Sequence, residues 1–251
     1  MGCGGEESSA GILPAVPRAS CPRHGAPEPA LSGIEGTPPD SRRDGGATIK
    51  RLMTLDDYLR EAEVAHGHLC AGQVLGVRLA MLGLEKLGIA DPRGSKEDRK
   101  RLVTFVEIDR CATDAISLVT GCRLGKRALK FRDWGKMAAT FVDLGIKDMR
   151  TGKAIRIAAK ESSKKLARAM HPEIEDKNQQ QMLAYREMAE DDLFTKQWVK
   201  VEIAAEEFPG YKGERIVCAE CGEGINFRRE VLRDGRVLCK ACWGERYYET
   251  L

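Results

Sequence analysis

Two pairs of cysteines near the end of the chain constrain its fold more than any other sequence feature. Cys218 and Cys221 are separated by two residues, Cys239 and Cys242 repeat that gap, and 17 residues lie between the pairs. Each two-residue gap lets both sulfurs of one turn reach the same tetrahedral ion. The spacing therefore predicts a structural zinc site within residues 211–251.

The segment between the two pairs has the turn signal that a zinc finger needs. Asp234 and Gly235 form a strong hairpin signal, and Cys242 leads into a stretch that can form a short helix. We expect a treble-clef or ribbon-like finger whose zinc stabilises the fold, because four thiolates leave no position for water. The hairpin is rich in arginine and could contact a protein or nucleic acid, although a solvated charged hairpin is the simpler interpretation.

Composition limits the class of protein. A chain of 251 residues with 42% hydrophobic content is typical of one main domain with a small appendage. The formal charge of +3 does not by itself indicate nucleic acid. The odd count of nine cysteines favours a reducing compartment over a disulfide framework. No apolar run approaches the roughly 18 residues of a membrane helix, so we expect a cytoplasmic protein without membrane contact.

Residues 1–48 differ from the rest of the chain. They hold nine of the 26 glycines, seven of the ten prolines and no aromatic residue. Such a segment buries too little apolar surface to offset its chain entropy. The sequence predicts a disordered tail over 1–48, a core over 49–210 and a finger over 211–251.

Helices and strands alternate in the core without a steady βαβ rhythm, which favours an α+β fold over a doubly wound sheet. Apolar residues at helical spacing predict helices over 54–66, 72–88, 113–120, 162–169 and 178–191. Apolar and β-branched runs predict strands or extended segments over 102–108, 128–131, 137–142, 153–158 and 198–203.

Three metal-ligand side chains alternate between the first two predicted helices. They are His66, His68 and Cys70. An extended backbone would place all three on one side, whereas a continuous helix would align only His66 with Cys70. Cys70 also lies near a helix N-terminus, where the dipole favours a thiolate. We interpret the group as functional, since it contains two of only four histidines in the chain.

A second cysteine motif begins where the first predicted strand gives way to a helix. Cys111 lies at that junction and Asp114 follows it. Further along, Thr120, Gly121 and Lys126 belong to segments in which small and polar residues alternate, as tight loops around a site require. We predict that Cys111 converges with the histidines and Cys70 on one pocket.

These motifs are similar to a known family. The stretches HGHLCAGQVLGVRLA and EIDRCATDAISLVTGCRLGKRALKFRDWGKMA, followed by the four-cysteine finger, resemble the FmdE family, which is named for formylmethanofuran dehydrogenase. The resemblance covers roughly residues 54–251 and implies an α+β core with a treble-clef finger, often as a dimer. The family signatures fall on His66, His68, Cys70, Arg110, Cys111, Asp114, Thr120, Gly121, Cys122 and Lys126. Ala71 departs from the proline that is common after the cysteine.

One interpretation is a core site for a metal or small molecule, with a second metal beside the zinc of the finger. His66, His68 and Cys70 would bind zinc or iron with an open position. Alternatively, Cys111 could act as a nucleophile with a histidine as base, or form a redox pair with Cys70. The catalytic candidates are Cys111, His68, Asp114 and Lys126. The metal site is the favoured option.

The other interpretation is a non-catalytic binding module. Its core would pack against partner oxidoreductase subunits, and its basic finger would dock a protein or nucleic acid. A homodimer is expected in either case from the family resemblance. The dehydrogenase reaction itself is not assigned to this chain, and both an enzyme and an accessory protein are compatible with the sequence.

The composition of residues 1–48 leads to the first testable prediction. A chain that begins at Ile49 should have the same melting temperature as the full chain, because the removed segment has little to pack. Thermal unfolding followed by circular dichroism measures this. A clear fall in melting temperature on truncation would contradict it.

Overall fold

The structure is a computed structural model that describes residues 53–145 and 151–251; the predicted tail over 1–48 lies outside these residues. The helices in chain order are α1 (Leu55–His66), α2 (Ala71–Leu87), α3 (Lys96–Arg101), α4 (Cys111–Thr120), α5 (Ser162–Met170), α6 (Lys177–Glu187) and α7 (Glu190–Leu193). The strands of the core are β1 (Leu102–Val106), β2 (Leu129–Phe131), β3 (Ala138–Asp143), β4 (Thr151–Ala159) and β5 (Phe194–Glu202). The α+β prediction is confirmed.

The five core strands form one mixed sheet in the order β2-β1-β3-β4-β5. β1 and β2 are parallel, and the other neighbouring pairs are antiparallel. β3 lies in the middle and all six of its residues are buried, so both faces of the sheet are covered there. In the described part of the chain, no helix is long and apolar enough to cross a membrane.

The two faces of the sheet carry different layers. On one face, Phe141 and Ile155 pack into the main core together with the helices. On the other face, Val142 and Ala154 pack with Ile203, which follows β5. Neighbouring residues of a strand point to opposite faces, so the alternation along β3 and β4 assigns each side chain to its layer.

Helix α2 is the central element of the main core. Apolar residues surround its axis, and Val74, Val77 and Leu79 are fully buried. Such a helix needs contacts on every side. It packs against α1, α4 and α6 and against strands β3 and β4.

The structure differs from the sequence predictions in several elements. The predicted helix over 178–191 ends at Glu187, because Arg78 of α2 donates hydrogen bonds to the carbonyls of Tyr185 and Met188 at 2.6 and 2.7 Å. α3 was not predicted, since its residues are charged and none is buried. β5 begins at Phe194 rather than at residue 198, because it pairs with β4 along its full length.

The finger contains two short hairpins and one irregular helical turn. Strands β6 (Ile216–Val217) and β7 (Gly224–Ile225) flank the first cysteine pair, and β8 (Val231–Arg233) and β9 (Arg236–Leu238) precede the second. The turn at Ala241–Glu245 follows. This order of knuckle, hairpin and helical turn is the treble-clef arrangement that the sequence predicts.

Glycines on α2 permit the closest helix contact in the core. A Cβ atom on Gly76 would lie 2.5 Å from the carbonyl oxygen and 2.8 Å from the Cα of Ala112. Both distances are shorter than real Cβ contacts, and the obstructing atoms belong to the backbone of α4. Only glycine therefore allows α2 and α4 to approach this closely.

We predict that Gly76→Ala destabilises the protein by about 1–3 kcal/mol through overpacking. The better helix propensity of alanine, worth about 1 kcal/mol, does not offset a backbone clash. Urea unfolding measures the difference. Gly125→Ala is the matched control, because no atom lies within 4 Å of its added Cβ. Equal stability of Gly76→Ala and the unsubstituted protein would refute the packing explanation.

Candidate metal and small-molecule site

The candidate core site lies at the junction of α1 and α2. α1 ends at His66, and Gly67 reverses the chain with a φ of 88°. Cys70 then forms the N-cap of α2 in an extended conformation. The sequence suggested that these three residues form one extended segment. The structure shows that they do not. The helix end and the left-handed glycine bring His66, His68 and Cys70 together instead.

The ligand atoms of His66, His68 and Cys70 all lie within 4.8 Å of one another. Zinc binds nitrogen and sulfur at about 2.0–2.3 Å, so tetrahedral ligands are about 3.5 Å apart. The ligand atoms are therefore already close to the spacing that a metal requires. His66 and Cys70 are partly buried and His68 is exposed, so a metal would be accessible from solvent on one side.

Asp114 orients one of the candidate ligands. His66 Nδ1 lies 3.0 Å from Asp114 Oδ2, across 48 positions of sequence. The side chain of His66 is 19% exposed and that of Asp114 is 66% exposed. A carboxylate on one ring nitrogen fixes the tautomer and leaves Nε2 available as a ligand, which is a common arrangement around protein-bound metals. The structure thus places Asp114 behind His66.

Cys111 lies beside Cys70 across the contact between α2 and α4. It is the first residue of α4, two positions earlier than the predicted helix start. A Cβ on Gly72 would be 3.1 Å from Cys111 Cβ and 3.7 Å from Cys70 Sγ, so glycine allows both cysteines to adjoin it. Gln73 Nε2 donates a hydrogen bond of 2.8 Å to the carbonyl of Cys111. No pattern in the sequence indicated that role of Gln73.

Opposing influences act on the pKa of the Cys111 thiol. The N-terminus of a helix favours a thiolate. Burial and the neighbouring Cys70 thiol nevertheless raise the pKa of Cys111. Burial and the contact with Cys70 therefore outweigh the effect of the helix N-terminus on the pKa of Cys111.

A cavity of about 620 Å³ adjoins these residues. Cys70 and Cys111 line it, and the segments around the starts of α5 and α6 contribute polar groups. The polar lining includes Glu161, Lys164, Asn178 and Gln181. Asn178 Oδ1 accepts a hydrogen bond of 2.9 Å from the Ala71 N–H, which connects α6 to the start of α2. These groups were not predicted, because the sequence of α6 resembles that of a solvated polar helix.

Lys126 is separated from this site. It lies in the helical turn Leu124–Lys126, after the C-terminal end of α4, whereas Cys111 begins that helix. A ten-residue helix is about 15 Å long, so the two residues lie at opposite ends of it. Lys126 lines a different cavity. The sequence grouped it with the core site because the two motifs are close in the chain.

Comparison with known families agrees with these features. A family model described as "FmdE, Molybdenum formylmethanofuran dehydrogenase operon" matches residues 65–195, more than half of the 251-residue chain. The chain belongs to the FmdE family. A second model, described as "Prokaryotic dksA/traR C4-type zinc finger", matches residues 211–248. Both the family resemblance and the predicted finger are confirmed.

Two relatives extend this FmdE assignment. A protein of Archaeoglobus fulgidus named "Probable S-adenosyl-L-methionine-binding protein" is 30% identical over 252 aligned positions, and the match covers 86% of this chain. The chain spans only 64% of that relative's length. The crystal structure of a "tungsten formylmethanofuran dehydrogenase subunit e (fmde)-like protein" from Syntrophus aciditrophicus is also similar, with a TM-score of 0.54 at 20% identity. The match covers 78% of this chain and 96% of that one. That likeness shows a shared fold.

The finger of this FmdE-family protein has a donor set that fits zinc. The sulfurs of Cys218, Cys221, Cys239 and Cys242 all lie within 4.8 Å of one another. The N–H groups of Cys221 and Cys239 lower the pKa of Cys218 to about 6. Burial and the neighbouring Cys239 raise the pKa of Cys242 to about 12. Four sulfurs at this spacing, one of which favours the thiolate, fit the closed tetrahedral coordination of a structural zinc.

We predict that Cys239→Ser lowers the zinc content by about one ion per chain and unfolds the finger, because three thiolates hold a structural zinc poorly. Elemental analysis measures the zinc, and limited proteolysis after residue 217 reports the unfolding. Cys122→Ala is the control, since Cys122 lies in the core outside both metal-ligand groups. Unchanged zinc in Cys239→Ser would show that the finger assignment is wrong.

Proposed function

We propose that this FmdE-family protein binds a transition metal at His66, His68 and Cys70 and presents it to a small molecule in the adjoining cavity. The observation that carries the proposal is the spacing of the three ligand atoms, all within 4.8 Å of one another at the edge of that cavity. Three protein ligands leave one position of a tetrahedral ion open, as in catalytic zinc sites. Zinc or ferrous iron at this position would supply a Lewis acid for the bound molecule.

The protein's own residues would prepare this site for a ligand. Asp114 holds His66 by its Nδ1 atom, so the ring is already oriented. Asn178 accepts a hydrogen bond from the first N–H of α2, beside Cys70. Gln73 donates a hydrogen bond to the carbonyl of Cys111. Such outer contacts keep ligands within the narrow geometry that a metal requires. The cavity lining carries charged groups as well, since Lys164 pairs with Glu161 at 2.7 Å.

S-adenosylmethionine is the first small molecule to test, because the Archaeoglobus fulgidus relative carries that ligand in its name. The cavity of about 620 Å³ falls within the range of about 300–1,000 Å³ that small-molecule sites occupy. Its lining combines the apolar side chains of Leu75 and Met137 with polar groups, which suits a ligand with both an aromatic base and charged ends.

The family description points to an accessory role beside an oxidoreductase. It names the operon of a molybdenum formylmethanofuran dehydrogenase. We propose that this protein delivers or holds a metal or small molecule for such an enzyme. The reaction of the dehydrogenase is not assigned to this chain.

Docking of nucleic acid by the finger has weaker support. Residues 211–251 contain eight Lys and Arg against seven Asp and Glu. Four thiolates around one Zn²⁺ add two further negative charges, so the finger has no excess of positive charge. Nucleic-acid binding depends on neutralising many phosphates, which this balance does not favour.

Metal content tests the proposal. The unsubstituted protein should contain about two metal ions per chain, and His68→Ala and Cys70→Ser should each contain about one, because a three-ligand site fails when a ligand is removed. Cys239→Ser combined with Cys70→Ser should contain about none. Elemental analysis of purified protein, after incubation with excess zinc or ferrous iron and desalting, gives these values.

His171→Ala is the matched control for the histidine variant. It removes the same side chain at a position outside the metal-ligand groups of the described residues. It should keep both metals. The proposal fails if the unsubstituted protein binds one metal only, or if His68→Ala and Cys70→Ser retain two. Calorimetry with S-adenosylmethionine on the same proteins separates loss of the metal from loss of the cavity ligand.

A further inference from the structure

A second cavity of about 380 Å³ lies at the C-terminal end of α4, away from the candidate metal site. It contains the Thr120–Lys126 motif of the sequence, which the proposed function does not use. Its lining includes Thr120, Gly121, Cys122 and three cationic side chains, Arg99, Lys100 and Lys126. No carboxylate of the described residues lines it.

The three cations of this cavity differ from the arginines near them. Arg93 pairs with Glu61 at 2.5 Å, and Arg101 pairs with Asp143 at 2.6 Å. Within 53–145 and 151–251, by contrast, the ion pairs do not include Arg99, Lys100 or Lys126. Cations that share a concave surface without carboxylates raise the local concentration of anions.

Positive charge extends along the segment that follows Lys126. Burial lowers the pKa of Lys130, and Arg127 and Arg132 lower it further against the opposing effect of Glu207. Nη1 of Arg127 is buried, and it has no hydrogen-bond partner among the described residues. Lys130 therefore lies among further cationic side chains, of which Arg132 is paired with Glu207.

The helix C-terminus at this cavity does not cancel that charge. A helix C-terminus carries about half a negative charge, whereas the cavity has three full positive ones. The carbonyls near it also have partners: Thr120 Oγ1 donates to Ile116 at 2.6 Å, and Ser117 Oγ donates to Cys122 at 2.7 Å. Burial raises the pKa of Cys122, so its thiol adds no negative charge.

We propose that this cavity is a second ligand site, which binds a small molecule through a phosphoryl group held by Arg99, Lys100 and Lys126. A phosphoryl group carries up to two negative charges and three acceptor oxygens, which match one guanidinium fork and two ammonium groups. A carboxylate would leave two of the three cations unbalanced. The cavity exceeds the size of a phosphate, so it accommodates the organic part of the ligand as well.

Calorimetry with inorganic pyrophosphate and with ADP, each added to the full chain, tests the site. A higher affinity for ADP than for pyrophosphate would indicate that the natural ligand is a nucleotide. Equal affinities would indicate that the cavity recognises the phosphoryl group alone. Either result supports the site. Lys126→Glu and Arg99→Glu should each weaken binding about tenfold or more, because a charge-assisted hydrogen bond is worth about 1.5–3 kcal/mol.

Lys165→Glu is the matched control, since Lys165 is an exposed lysine of α5 that does not line this cavity. It makes the same change in net charge and should leave the affinity unchanged. Cys70→Ser should also bind normally, because it changes only the metal site. Melting temperatures identify any variant that fails to fold, and Lys126→Gln then replaces Lys126→Glu.

Three results would overturn the proposal. The first is that neither pyrophosphate nor ADP binds the unsubstituted protein. The second is an equal loss of affinity in Lys165→Glu and Lys126→Glu, which would indicate net charge alone. The third is binding of a single-stranded oligonucleotide without binding of either small probe, which would indicate an extended surface in place of a cavity site.

Discussion

Helices α2 and α4 approach so closely that a side chain on Gly76 would overlap the backbone of Ala112. The same helix pair adjoins at Gly72, where the Cβ of Cys111 occupies the space that another residue would fill. Gly83, further along α2, faces the ring of Phe141 in the central strand. Because protein interiors are densely packed, Gly72 and Gly76 allow α2 to lie close to α4, and Gly83 allows it to lie close to β3. Both helix N-termini consequently open onto the same cavity.

That contact determines the chemistry of the core. Each helix begins with a cysteine at its N-terminal end, and burial outweighs the helix dipole at Cys111, whose pKa is raised. A cation beside the two sulfurs would reverse this balance, since its charge is the largest local one. Asp114 is on the same helix as Cys111 and contacts His66 on α1. One helix, α4, therefore positions the second cysteine and orients a histidine.

The finger and the proposed core site would use cysteine differently. Four thiolates enclose an ion completely, whereas two histidines and one thiolate leave a position open. The finger is attached to the core through Phe227, whose ring lies 3.7 Å from the Arg127 guanidinium. Phe227 and Arg228 have φ values of 62° and 53°, which cost about 1 kcal/mol or more each for residues other than glycine. The cation–π contact, worth about 0.5–2 kcal/mol, partly offsets that cost.

The sequence by itself determined the features that depend on local spacing. Two cysteine pairs predicted the finger, apolar periodicity predicted α1, α2 and most strands, and the motifs around Cys70 and Cys111 identified the family. Only the tertiary structure decided which distant residues meet. It joined Cys111 to Cys70 across 41 positions, built the cavity wall from α5 and α6, and separated Lys126 from both. Backbone geometry sets the spacing of side chains within a motif. Contacts between helices depend instead on where small residues allow close packing. No local sequence pattern specifies which surface those small residues will face.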